Sequence, residues 1–163
     1  MRVLGIDPGY GRCGMAVIER EGGTDKLLFS DCVETSAKSE FVHRLSEVTR
    51  RCAELLTEYE PDFFAIEKLY FNANQKTAMR VAEARGALIE CATSHGVEVF
   101  EYTPAQIKNA TSGFGRADKK QIAAMVHLLI KIEKEIRHDD EYDAIAVAIA
   151  HLAFVRIPSS VVS

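Results

Sequence analysis

The stretch LGIDPGYGRCGMAVIE, residues 4–19, predicts two antiparallel strands joined by a short turn. The first strand is apolar until it reaches Asp7, and Pro8 and Gly9 then supply residues typical of a turn. A carboxylate beside Ile6 in a buried strand is costly unless it is hydrogen-bonded, paired or bound to a metal. The sequence therefore predicts that Asp7 has a compensating partner elsewhere in the fold.

The remaining elements follow from periodicity and from turn residues. A third strand is predicted over 26–35 and a helix over 41–60, which Pro61 ends. Strands over 62–70 and 97–103 enclose a helix that ends at Gly96. Thr103 is the predicted N-cap of a short helix that starts at Pro104. Two more helices are expected over about 118–132 and 140–155.

This order of elements predicts an α/β fold with a mixed five-stranded sheet and helices on both faces. Three antiparallel strands come first and two parallel strands follow, with strand one near the centre. We expect a single domain over residues 1–157 and a short C-terminal tail over 158–163.

Composition narrows the class of protein. Cys13, Cys32, Cys52 and Cys91 form no CxxC pair, so they are expected to be small core residues. The start of the chain has no apolar signal-peptide core, and we expect a cytoplasmic protein. The net charge is −4, but residues 68–86 and 104–120 each contain four basic residues against one acidic residue. Positive charge is therefore concentrated in two segments, which favours a polyanionic partner there.

Four acidic residues stand at positions that predict one site. Asp7 and Glu67 each follow an isoleucine near the C-terminal end of a strand, the edge at which ligands commonly bind in open α/β sheets. Asp140 and Asp143 lie three residues apart at the start of the last helix and share one face. The alternative for this pair is helix capping. For Asp7 it is a turn-forming residue, and for Glu67 an ordinary charge at a strand end.

A cluster of carboxylates without a cationic side chain among them would raise the pKa of each member. A divalent cation removes that repulsion, and oxygen ligands favour Mg²⁺ or Mn²⁺. One or two such ions can stabilise the attacking and leaving oxygens in phosphodiester hydrolysis. The four acids therefore predict a metal-dependent nuclease.

The same residues resemble a known family. GIDPG on strand one, AIE on strand four, ARG in the next helix, FEYTPAQIKNATSGFGRADKKQI and DEYDAIAVAIAH together resemble the RuvC family of bacterial Holliday junction resolvases. The resemblance covers essentially the whole chain, in order. It implies a ribonuclease H-like fold and a magnesium-dependent homodimer that makes paired nicks in four-way DNA junctions and leaves 5′-phosphate ends. It also implies cooperation with the branch-migration proteins RuvA and RuvB.

Carried over by position, the catalytic and metal-binding acids would be Asp7, Glu67, Asp140 and Asp143. Helical spacing favours Asp140 as the third acid, although His138 and Asp139 precede it directly. Whether either of them contributes is left open by the sequence.

The resemblance also implies DNA contacts and a dimer surface. Tyr70 is the candidate for stacking on an unpaired base, and Phe71 is either core or a DNA contact. The phosphate-binding candidates are Lys108, Arg116, Lys119 and Lys120, whose alternative role is a solvated helix surface. The helix around Gly86 is the expected dimer surface.

Two rival functions remain, a related nuclease that processes structured RNA and a non-catalytic junction-binding module.

Overall fold

The computed structural model describes residues 1–69, 75–113, 115 and 117–155, with 75 and 76 described by their backbone alone. The elements in chain order are β1 (Arg2–Asp7), β2 (Arg12–Glu21), β3 (Thr24–Glu34), α1 (Phe41–Tyr59), β4 (Phe63–Glu67), α2 (Gln75–Ser94), β5 (Glu98–Tyr102), α3 (Pro104–Ser112), α4 (Lys119–Leu129) and α5 (Asp139–Phe154). The predicted C-terminal tail lies outside the described residues.

The five strands form one sheet in the order β3-β2-β1-β4-β5. β1 pairs antiparallel with β2 and parallel with β4, and β4 pairs parallel with β5. This confirms the predicted mixed sheet with strand one at its centre.

Alternate residues of β1 and β4 enter two cores on opposite faces of the sheet. Leu4 and Ile6 pack with α1 and α2, whereas Val3 packs on the other face with the buried side of α5. The same alternation holds in β4, where Phe64 and Ile66 belong to the first core and Ala65 belongs to the second. Because side chains alternate with a period of two, Asp7 and Glu67 project from the face that α5 covers.

Helix α5 packs directly on the sheet at two strand residues that have no side chain. A Cβ atom on Gly5 would stand 2.4 Å from the carbonyl oxygen of Ala144. A Cβ atom on Gly14 would stand 1.8 Å from the carbonyl oxygen of Asp140. The glycines therefore set the height of the N-terminal half of α5 above β1 and β2.

Most predicted boundaries differ from the structure by one to three residues. β3 begins at Thr24 rather than at residue 26, and α2 begins at Gln75 rather than at 77. α4 ends at Leu129, three residues before the predicted end, because Ile130 adopts an extended backbone and is buried in the core. The segment 130–138 then connects α4 to α5 without regular structure.

Candidate active site

Four carboxylates meet where β1 and β4 end beneath the start of α5. Asp7 and Glu67 are the last residues of their strands, and Ile6 and Ile66, which precede them, pair directly in the sheet. Asp140 and Asp143 lie in the first part of α5. The charges of Glu67, Asp140 and Asp143 all act on Asp7. The structure thus brings the four predicted acids together.

Burial and mutual repulsion raise the pKa values of three of these acids. Burial raises the pKa of Asp7 well above its ordinary value, and the neighbouring charges of Asp143, Glu67 and Asp140 add to this. Burial and then the charge of Asp143 raise the pKa of Glu67 to about 7. Burial also raises the pKa of Asp143, against the opposing effect of the Lys119 ammonium. Burial and repulsion therefore make ionisation of these three carboxyls less favourable, an effect that a bound cation would oppose.

The capping alternative for Asp140 and Asp143 is wrong. The N-cap of α5 is His138, and no side-chain cap hydrogen bond is formed there. Asp140 is therefore the second residue of the helix and Asp143 the fifth, so neither occupies the N-cap. Asp139, by contrast, is exposed, and one of its carboxylate oxygens lies 3.6 Å from the Lys119 Nζ.

Two cationic side chains stand beside the acids, although the argument from repulsion assumed a cluster without one. Lys119 Nζ lies 3.4 Å from an Oδ2 atom of Asp143, and Arg12 Nε lies 3.2 Å from Oδ2 of Asp140. Both cationic side chains are more than half exposed, at 67% and 54%. They can therefore leave the carboxylates when another partner arrives, and each pair contributes little to stability.

A cavity of about 230 Å³ opens beside these acids. It is lined by Glu67 and Asp143, by the two lysines Lys108 and Lys119, and by apolar residues of α3, α4 and α5. The charges of both lysines lower the pKa of Glu67. An anionic group that enters the cavity would meet ammonium groups on one side and carboxylates on the other.

The other predicted DNA contacts divide into two groups. Lys120 is exposed at the second position of α4, directly after Lys119. Tyr70, Phe71 and Arg116 lie outside the described residues, and the predictions for them stay predictions.

A buried acid that the sequence analysis missed anchors the start of α5. Glu141 is only 3% exposed, and its Oε2 atom accepts a hydrogen bond from Ser30 Oγ at 3.1 Å. The same oxygen lies 2.6 Å from Nζ of Lys134. Glu141 stands four residues before buried Ile145, so helical spacing was the signal that could have placed it on the inner face. The contacts tie α5 to β3 and to the segment 130–138.

Comparison with known proteins decides the family. The sequence profile of the family described as Crossover junction endodeoxyribonuclease RuvC matches residues 3–151. This chain belongs to the RuvC family of crossover junction endodeoxyribonucleases.

The similarity to RuvC proteins extends over nearly the whole chain. The chain is 44% identical over 151 residues to the RuvC of Alkaliphilus metalliredigens, and the alignment covers 93% of this chain and 92% of the relative. It is 44% identical over 156 residues to the RuvC of Petrotoga mobilis, covering 96% of each. The structure of Thermus thermophilus RuvC in complex with a Holliday junction substrate superposes with a TM-score of 0.88 at 32% identity, covering 94% of each chain.

Proposed function

We propose that this chain is a Holliday junction resolvase whose catalytic acids are Asp7, Glu67, Asp140 and Asp143. The observation that carries the proposal is the convergence of these four carboxylates beneath α5 in a chain of the RuvC family. The substrate follows from the related Thermus thermophilus RuvC, which was solved with a Holliday junction.

The donor set fits a divalent metal such as Mg²⁺ or Mn²⁺. The four candidate ligands are carboxylates, which are the hard oxygen ligands that these cations prefer. Burial is the largest cause of the raised pKa values of Asp7, Glu67 and Asp143, and the charges of neighbouring carboxylates add to it. One or two bound cations would neutralise them and stabilise the charge that develops on the phosphodiester oxygens.

The strands and helix α5 position the four carboxylates. Asp7 and Glu67 end adjacent, paired strands, so the sheet fixes the positions of their carboxylates. Asp140 and Asp143 are held by α5, whose height above the sheet is set by Gly5 and Gly14. Rigid placement of this kind is what lowers the entropic cost of bringing a phosphodiester to the reacting groups.

The lysines of the cavity are proposed to bind backbone phosphates. Lys108 and Lys119 line it together with Glu67 and Asp143, and Lys120 is exposed next to Lys119. A phosphate would replace the carboxylates of Asp139 and Asp143 as the partner of Lys119. The stacking role of Tyr70 and the phosphate contact of Arg116 rest on sequence position alone.

We further propose a homodimer that packs through α2. Gly86 is exposed on this helix with open space around it, and Met79 is 63% exposed. A small residue on an exposed face allows a second helix to approach closely. Cooperation with RuvA and RuvB follows from the family resemblance and stays a prediction.

The experiment offers the purified protein a four-way DNA junction, a linear duplex of the same sequence and a structured RNA, each with Mg²⁺. We expect paired, symmetric nicks in the junction and none in the duplex or the RNA. RNA cleavage would favour the related RNA-processing nucleases instead. Junction binding without any cleavage would favour the non-catalytic module.

The matched variant for this experiment is Asp140→Asn. It removes the negative charge but keeps the size of the side chain, so junction binding should be kept while cleavage is lost. Asp139→Asn, one residue earlier on an exposed side chain, is the control and should cleave normally. Full activity of Asp140→Asn would overturn the assignment of the third acid.

A further inference from the structure

Three side-chain atoms of types that bind metals in proteins lie on the β3 side of the acids. Cys32 Sγ, a ring nitrogen of His138 and a carboxylate oxygen of Asp140 all lie within 4.8 Å of one another. Only Asp140 is shared with the four proposed catalytic acids. Cys32 and His138 have no part in the function proposed above.

The sheet places Cys32 in this group. Phe29 and Val33 of β3 pack toward α1 and α2, so the alternating residues Cys32 and Glu34 project toward α5. Cys32 pairs with Gly14, whose missing side chain leaves the cysteine next to the start of α5. Cys32 Sγ lies 4.0 Å from Oδ2 of Asp140 as a result.

The start of α5 places the imidazole ring of His138 beside β3. His138 is the N-cap of α5 and has an extended backbone. Its Nε2 atom lies 3.5 Å from a carboxylate oxygen of Glu34, so the ring faces β3. The His138 side chain is 28% exposed, so solvent reaches one of the three side chains of this group.

These three ligand types differ from those of the proposed catalytic site. Sulfur, imidazole nitrogen and a carboxylate oxygen are the ligands of Zn²⁺, at about 2.0–2.3 Å each. Thiolate disfavours Mg²⁺, which takes oxygen ligands. Tetrahedral coordination at these lengths puts ligand atoms about 3.5 Å apart. Bringing the atoms from their present spacing, within 4.8 Å of one another, to this distance requires rotation of the His138 ring, which is 28% exposed, and of the Asp140 side chain.

We propose that Cys32, His138 and Asp140 form a binding site for a thiophilic divalent cation such as Zn²⁺, and that its occupation stops junction cleavage. Inhibition follows because Asp140 cannot serve both sites. Glu34 or water completes the coordination. Binding releases the thiol proton of Cys32 to the buffer and changes no oxidation state. The binding claim stands apart from the proposed nuclease function, whereas the inhibition claim rests on it.

Arg12 opposes this site in the absence of the cation. Its guanidinium pairs with Asp140, and the side chain is 54% exposed. An incoming cation must displace it and meets its positive charge. Arg12→Gln should therefore tighten cation binding, while a loss of Cys32 or His138 should weaken it.

The first test titrates Co²⁺ alone into chelator-treated protein and follows the thiolate-to-cobalt charge-transfer absorption. We expect the band in the wild type, no band in Cys32→Ser and at least about tenfold weaker binding in His138→Ala. The control is Cys91→Ser, because Cys91 is 9% exposed against 8% for Cys32 and lies on α2. A band that is absent in the wild type, or that survives in Cys32→Ser, overturns the site. His138→Ala keeps the test informative if Cys32→Ser does not fold.

The second test measures junction cleavage at fixed Mg²⁺ with rising Zn²⁺. The wild type and Cys91→Ser should be inhibited at Zn²⁺ concentrations about tenfold or more below those needed for His138→Ala. Equal sensitivity of these proteins overturns the inhibition. If the cobalt band appears but no protein cleaves junctions, the cation site stands and the nuclease function fails. If junctions are cleaved but no band appears, only the cation site fails.

Discussion

Gly14→Ala tests whether close packing of α5 on the sheet places the acids. The added Cβ atom would stand 1.8 Å from the Asp140 carbonyl oxygen and 2.5 Å from its carbonyl carbon. Ordinary contact begins at 3.4 Å, so the start of α5 must retreat by about 1.6 Å. The atoms that clash belong to backbone, which cannot rotate away as the tip of a side chain can.

Two effects of different size should follow. Overpacking costs about 1–3 kcal/mol of unfolding free energy, which lowers Tm by about 2–4 °C for each kcal/mol in a chain of this length. The cost to catalysis is larger, because a misplacement of about 1 Å can slow a reaction about 100-fold. Gly14→Ala should therefore fold and bind junctions but cleave them about 100 times more slowly.

The assay is single-turnover cleavage of a four-way junction, with Tm measured on the same preparation. Gly11→Ala is the matched control, because its added Cβ atom meets only the tip of the Arg44 side chain, at 3.0 Å. That guanidinium can shift, so the control should keep the wild-type rate and Tm. Equal cleavage rates for Gly14→Ala and Gly11→Ala would refute the reasoning.

Three further outcomes follow from charges around the site. With a chelator present, the unfolding free energy should fall by up to about 3 kcal/mol as pH rises from about 4.5 to about 7. The reason is that folded Glu67, with a pKa of about 7, keeps a proton that the unfolded chain releases. Denaturant unfolding at several pH values measures this, and an unfolding free energy that does not change with pH would contradict it. Lys119→Ala should weaken junction binding and reduce its salt slope by about 1, whereas exposed Lys131→Ala should leave the slope unchanged. Lys134→Met should lower the unfolding free energy by about 1–3 kcal/mol, because it leaves buried Glu141 with Ser30 but without a cation. Glu141→Leu in the same chain should restore most of the loss, and an additive loss would argue against the pair.

The strand pattern was enough to predict the sheet and the meeting of the acids. Asp7 and Glu67 close apolar runs of similar length, and the order of strands and helices leaves β1 beside β4. Helical spacing likewise put Asp140 and Asp143 on one face. Strand and helix patterns of this kind are local in sequence. They predict the structure correctly here because each element buries the apolar side chains next to its acid.

Strand and helix patterns could not predict the cationic partners of the acids or the contacts of the buried polar side chains. Arg12 and Lys119 meet the acids only after β2 and α4 are placed in three dimensions. Lys134 lies in a segment without periodicity, so no spacing predicts its contact with Glu141. His151 of α5 is fully buried, and its Nδ1 atom lies 2.9 Å from the hydroxyl of Tyr102, a contact between α5 and β5 that no local pattern predicts.

Among the helices in the described part of the chain, each is too short or too polar to cross a bilayer.

The most direct test of the proposed metal-dependent nuclease is junction cleavage by Asp7→Asn with Mg²⁺, measured beside junction binding. Asp7 ends the central strand, and its charge interacts with those of the other three acids. The variant should fold, dimerise and bind the four-way junction as the wild type does, and its cleavage should be slower by at least about 100-fold. Cleavage of the junction by Asp7→Asn at the wild-type rate would contradict the proposal that these carboxylates hold the catalytic metal.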